Sequence, residues 1–357
     1  MKIEINQANI GEKKINLYQL IAGFFLFFSF FPYLKIVETG SDLQPLSFII
    51  GVIYLFTRVN LLNFDKRITL IFITMASALV FFFIEVVIRF DIVLFRGVYS
   101  YTSILVHSLA AYDILKRDKS LLYQILELAI WIWFVVGLIQ SFIFPTFLTF
   151  LLSRGGAYDA GSAGGRGVLS LAVEPTFYGI QCFFMLLFVF LIRAKNGYGS
   201  RKFIILVCLC IIQIVIFARS SMVMVFVFLT ASSAVFTYVF RKPLYAFLAL
   251  IGIGLVCFGA MTVLDEDSRI KILLNIFLDS PDNMLANDRS INERISDIYY
   301  SISGFFDNPI GHGLNGWQIY LGSQPNDEIL VKNEQSRIMS FLGSFLFELG
   351  IFSFFLI

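Results

Sequence analysis

The sequence predicts an all-α integral membrane protein of about ten transmembrane helices, folded as a single polytopic membrane domain over residues 1–357. Two observations carry that prediction. Of the 357 residues, 58% are hydrophobic, only 15% are charged and 42 are phenylalanine, so too little polar surface exists to cover a water-soluble body of this size. The apolar residues also fall in runs of about 20, the length a helix needs to cross a bilayer. The net charge of +2 then carries no message about nucleic acid.

Taken in order, the expected spans are 15–34, 45–57, 68–88, 95–115, 121–144, 173–192, 203–218, 221–240, 244–264 and 341–357. The first follows Lys13 and Lys14 and lacks a small-residue cleavage site, so it is an uncleaved helix and not a signal peptide. The second is short, and the fourth carries Arg96 and His107, the latter read as a packed polar residue. Lys13/Lys14, Lys66/Arg67, Lys116/Arg117/Lys119, Arg193/Lys195/Arg201/Lys202 and Arg241/Lys242 fall in short connections on one side, which the positive-inside bias makes cytoplasmic. Both termini are then cytoplasmic, and two long connections, about 145–172 and 265–340, are external.

Cys182, Cys208, Cys210 and Cys257 all lie in expected spans and read as small apolar fillers. The sequence has no Walker A pattern, dinucleotide fingerprint, H-E-x-x-H or G-x-S-x-G. Two histidines do not make a metal site, so no metal or cofactor is expected.

The external connections hold the residues that can do chemistry. In "GGRGVLSLAVEPTFYGIQ", Pro175 suits a first helical turn and Glu174 suits the positive end of the helix dipole, which is good helix-starting chemistry in any protein. Ahead of them six glycines surround Arg154 and Arg166. Such a loop lets backbone amides and a guanidinium come close to a phosphate. Arg219 interrupts the apolar stretch 203–240, which fits a tight helical hairpin with the arginine near the external interface. It reads either as a snorkelling boundary arginine or as one paired with an anionic ligand or Glu174.

In "SINERISDIYYSISGFFDNP", Ser290 and Glu293 form a capping box, and Ile291, Ile295, Ile298, Ile302 and Phe305 recur at helical spacing until Asn308-Pro309. An amphipathic helix near 290–306 is predicted, lying on the membrane or over the bundle. Arg289 and Arg294 flank its first turn, either as a solvated face or as ligand contacts. The glycine-punctuated "NPIGHGLNGW" follows with His312, which is either incidental or a proton acceptor on the side where the arginines lie.

"RGVLSLAVEPTFYG", "FARSS", "NERISDIYYSISGFFDNPIGHGLNGW" and "FLFELGIFSFFLI", in that order, resemble the O-antigen ligase/polymerase superfamily. They are most similar to Wzy-type surface-polysaccharide polymerases. The resemblance covers residues 150–357 by motif and the remainder by topology. Family members usually have one or two helices after the "ELG" segment, where this sequence stops at Ile357.

The resemblance implies a GT-C-like architecture in the bacterial inner membrane with a periplasmic site. It also implies metal-independent glycosyl transfer between undecaprenyl-diphosphate-linked oligosaccharides. A flippase and a chain-length regulator would be partners, beside the membrane lipids. Arg166, Arg219 and either Arg289 or Arg294 would hold the diphosphate, since the guanidinium fork matches phosphate oxygens and stays charged. His312 and Glu174 are the candidates for the base, with His312 favoured because its ordinary pKa suits neutral pH. An O-antigen ligase moving polymer to lipid A core, a lipid-linked oligosaccharide flippase and a scaffold protein are the other readings.

Overall fold

The computed structural model describes residues 17–36, 43–58, 66–88, 93–153, 167–195, 197–239, 289–314, 316–325, 330, 338 and 340–355. These residues are mostly helical and form no strand; a single isolated bridge joins Leu34 to Leu152. The helices are α1 (Leu17–Phe30), α2 (Leu46–Arg58), α3 (Lys66–Ile88), α4 (Val93–Arg117), α5 (Lys119–Phe142), α6 (Pro175–Ala194) and α7 (Ser200–Ile212). A π-helical turn, Gln213–Ala218, extends α7. Then come α8 (Ser221–Val239), α9 (Arg289–Asp307), α10 (Trp317–Ser323) and α11 (Phe341–Leu349), which runs on as a 3-10 segment, Gly350–Phe355.

Among the described residues, four stretches, Ile68–Ile88, Lys119–Phe142, Pro175–Ala194 and Ser200–Ala218, are long and apolar enough to cross a membrane. Leu17–Phe30, Leu46–Arg58, Met222–Ser233 and Leu342–Phe355 are apolar but shorter. Helix α4 has the length, 25 residues, but carries Arg96, His107 and Asp113. The expected span 244–264 lies outside the described residues. Local chemistry explains the boundaries. Pro32 disfavours helical backbone in the residue before it, and α1 stops at Phe30. Asp118 caps α5 by accepting from the Leu121 amide at 3.2 Å, and Ser340 caps α11 by accepting from Gly343 at 3.1 Å.

The core joins α1, α5, α6 and α7 around Trp133, which is fully buried. Its indole is stacked between Phe31 (5.9 Å, 4°) and Tyr178 (5.4 Å, 14°) and donates to the Phe30 carbonyl at 3.0 Å. Gln140 reaches from α5 to Ser170, donating to its carbonyl at 2.9 Å and accepting from its amide at 2.6 Å. That exchange ties the segment ahead of α6 to the bundle without leaving buried polar groups unmet. Outward positions are apolar as well: Phe56, Val87, Phe142 and Phe150 are each more than two-thirds exposed, as a lipid-facing surface requires. Cys182 and Cys210 are buried fillers, whereas Cys208 is exposed on the outward face of α7. His107 is packed as expected, with its Nε2 3.0 Å from Ser47 Oγ and its Nδ1 2.7 Å from the Ser103 carbonyl.

The bundle has two chemically different ends. At one, Arg58 covers the Tyr18 ring at 4.1 Å, Gln19 donates to Asp118, Tyr54 and Arg117 share Asp113, and Lys202 pairs with Glu127. At the other, Lys35 donates to the Leu151 carbonyl, Val168 to the Phe217 carbonyl and Leu314 to Glu85.

Candidate functional site

The second end holds an unusual backbone feature. The π turn ends at Arg219, a non-glycine residue in the left-handed region with φ of 44°. Left-handed backbone costs such a residue about 1–2 kcal/mol, so the break between α7 and α8 is held by its surroundings. Arg219 is exposed, and its Nε donates to the Ile216 carbonyl at 3.1 Å. It forms no ion pair with a described residue, so the partnership with Glu174 that the sequence allowed is not the one observed.

Gly167 packs onto this break. A Cβ there would fall onto the Phe217 carbonyl, and the next residue, Val168, donates to that same carbonyl at 2.8 Å. Only glycine lets the two backbones meet this closely. The chain position that follows Arg166 therefore abuts the positions that precede Arg219. Arg166 itself lies outside the described residues.

Glu174 is the N-cap of α6 with extended backbone (φ −146°, ψ 149°), and Pro175 occupies the first turn, as expected. The carboxylate is half-buried and makes no capping bond to its own helix. Helix α6 packs on α8: a methyl at Gly179 would meet Val223 at 2.8 Å and Ala218 at 3.3 Å. Glu174 precedes Gly179 by five residues, about 7.5 Å of helix.

Helix α9 lies in the predicted place and begins at Arg289, one residue before the Ser290 of the expected capping box. Of the two placements the sequence left open, the isoleucine stripe does not pack on the bundle: it faces outward, with Ile295, Ile298 and Ile302 all exposed. The inward face is polar: Asn292, Ser296, Asp297 and Ser301 are at most 2% exposed. Burying such groups is costly unless they are hydrogen-bonded, and Ser301 Oγ donates to the Asp297 carbonyl at 2.5 Å. At the edge of this face Arg294 reaches across to α8, its Nη1 2.7 Å from Met222 Sδ. The side chain of Arg289 lies outside the described residues.

His312 belongs to a second cluster. Its loop is docked into the junction between α11 and the 3-10 segment: His312 donates its amide to the Phe347 carbonyl at 2.8 Å, Gly313 to Glu348 at 3.1 Å, and Ile351 to Pro309 at 2.8 Å. Gly311 and Gly350 take positive φ, 111° and 55°, where the two backbones touch. From α3, Glu85 Oε1 accepts from the Leu314 amide at 2.6 Å. The imidazole stacks on Phe347, and its Nε2 lies 2.9 Å from the Gly304 carbonyl. A carbonyl can only accept, so the neutral ring carries its proton on Nε2 and its lone pair on Nδ1. A cavity of about 460 Å³ opens here, lined by Glu85, Ile88, His312, Ile319, Tyr320 and Ser323. Burial pushes the Tyr320 phenol above its ordinary range, and the protonated hydroxyl donates to Asp307 at 2.7 Å.

The structure thus brings together Arg219, Arg294 and the segments carrying Glu174 and Gly167, and sets His312 apart from them. Arg294 precedes Gly304, the anchor of the imidazole, by ten residues of α9, about 15 Å. Glu85, Asp297 and the Tyr101 hydroxyl, which donates to Glu348 at 2.6 Å, were missed in the sequence. Their signal was present. A carboxylate inside "FFFIEVVIRF" is a functional candidate by default, and Asn292, Ser296 and Tyr300 recur at the same helical spacing as the isoleucines. Among the described residues, no three His, Cys, Asp or Glu side chains are grouped as metal ligands would be. No protein-family model, curated protein or solved structure matches this chain.

Proposed function

We propose that this chain is a multi-pass glycosyltransferase of the bacterial inner membrane that polymerises undecaprenyl-diphosphate-linked oligosaccharides into a surface polysaccharide. The observation that carries the reading is the convergence on the start of α8. Arg219 precedes that helix, Arg294 contacts Met222 in its first turn, and Gly167, next in sequence to Arg166, packs against Phe217 and Ala218. A helix N-terminus with arginines around it is suited to a diphosphate. The basic end of the bundle is cytoplasmic under the positive-inside bias, and the arginine cluster is periplasmic.

In this reading an acceptor sugar hydroxyl attacks the anomeric carbon of the donor, and the bond from that carbon to the diphosphate oxygen breaks. The diphosphate leaves with the electron pair, held by the arginines, and the hydroxyl proton passes to a base. Nucleophile and leaving group flank one carbon atom at roughly 3 Å, so the base belongs within a few ångströms of the arginines. That requirement favours Glu174 over His312, the reverse of the sequence-based preference. The second reading, a ligase, is favoured by His312 in its docked loop. A flippase would carry cationic groups deep in its helices, whereas Arg219 and Arg294 stand at or near helix starts.

The polysaccharide ladder of a deletion strain tests the reading. Loss of a polymerase leaves one repeat on the lipid core, loss of a ligase leaves none, and loss of a flippase strands the unit inside. Either of the last two outcomes, or an unchanged ladder, overturns the proposal. Glu174→Gln and His312→Ala, compared at equal membrane levels, then assign the base.

A further inference from the structure

At the opposite end of the bundle, α5 and α7 leave between them a cavity of about 470 Å³ that no step of the proposed reaction uses. The two helices run in the same direction there, and both change character over one turn. On α5, Glu127 is followed four residues later by Trp131; on α7, Lys202 is followed by Leu206, with Arg201 and Ile205 beside them. Four residues advance a helix by about 6 Å. The mouth of the cavity is therefore charged, and the layer one turn deeper is apolar.

The charges at the mouth do not cancel. Lys202 is paired with Glu127, whereas exposed Arg201 has no partner among the described residues. Gly199 caps α7 without a side chain, and the space beside it is open. A ligand filling this groove must present negative charge at one end and hydrocarbon at the other. A free phosphate satisfies the mouth and leaves the Trp131, Ile205 and Leu206 wall uncovered. A zwitterionic lipid covers the wall and brings a cation to Arg201.

We propose that this cavity binds an anionic phospholipid, with its phosphate at Arg201 and an acyl chain along Trp131 and Ile205. The site rests on the membrane-embedded fold alone and is independent of the glycosyltransferase reading. Basic clusters at the ends of spans attract anionic headgroups, and the groove turns that general attraction into one position.

Trp131 supplies the probe, because it is 42% exposed while Trp133 and Trp317, the remaining tryptophans, are 0% and 4% exposed. The full chain is placed in phosphatidylcholine nanodiscs holding a minor fraction of brominated phosphatidylglycerol or, in parallel, the same fraction of brominated phosphatidylcholine. Quenching of tryptophan emission is then compared. Quenching several-fold stronger with the anionic lipid is expected, and Trp131→Phe should remove most of it. Arg201→Gln should abolish the excess, while Lys195→Gln, an equal loss of charge outside the cavity, should keep it. Equal quenching by the two lipids overturns the proposal, as does an excess that survives Arg201→Gln. Loss of the excess on adding inorganic phosphate would assign the mouth to a small anion and overturn the lipid.

Discussion

The imidazole of His312 and the ring of Phe347 lie face to face, 4.4 Å apart at 5°, and the His312 amide donates to the Phe347 carbonyl at 2.8 Å. One residue of α11 thus fixes both the backbone and the ring of a histidine in the loop between α9 and α10. The "GHG" and "FELG" segments, separate in the sequence, are two halves of one docking interface.

Gly304 is the third party to that stack. A methyl there would stand 2.7 Å from two Phe347 ring atoms and 3.4 Å from His312 Nε2. Gly304→Ala should cost about 1–3 kcal/mol by overpacking, seen as a lowered unfolding midpoint in detergent. Gly322→Ala, where nothing lies within 4 Å, should leave the midpoint unchanged or slightly raised. Equal midpoints for the two variants would mean that the loop is not packed in this way.

Arg219 separates function from stability. Its left-handed backbone, φ 44°, suits glycine, so Arg219→Gly should stabilise the fold by about 1 kcal/mol and still abolish polymer formation. Arg219→Lys should impair polymer length nearly as much as Arg219→Ala, because a point charge does not reproduce the bidentate fork. Full-length polymer from the lysine variant would reduce the arginine's role to simple charge, and full-length polymer from the glycine variant would remove it from the mechanism.

The orientation of α9 is open to chemical labelling. In a cysteine-free background, Ile298→Cys and Ile302→Cys should react with a membrane-permeant maleimide. Ser296→Cys and Ser301→Cys, both at 0% exposure in the native helix, should react only after unfolding. The opposite pattern would place the isoleucine stripe against the bundle and the serine face outward.

That helix shows where sequence reading succeeds and where it stops. Periodicity located α9, and the proline after Asn308 located its end, because both signals are local. The spacing could not tell which stripe faces the bundle. Apolar residues turn inward when the surroundings are water, and the rule loses force where lipid surrounds the protein. The helix start at Glu174-Pro175 and the break at Arg219 were legible for the same local reason. The separation of His312 from Arg294 was not, since it depends on how residues 309–314 dock against Gly350, a contact between distant segments.

The orientation of the bundle has its own test. A reporter active only outside the cytoplasm should work when fused at Gly161 or Asn315 and fail at Asn196. Activity at Asn196 would place the arginine cluster on the wrong side for a periplasmic reaction.

The most direct test is reconstitution. The purified full-length chain in proteoliposomes, supplied with an undecaprenyl-diphosphate-linked oligosaccharide and no divalent metal, should convert single units into a ladder. Each bond formed should release one undecaprenyl diphosphate, and Arg219→Ala should stop both. Substrate that stays as single units with the wild-type chain, or a ladder of undiminished length from Arg219→Ala, would contradict the account.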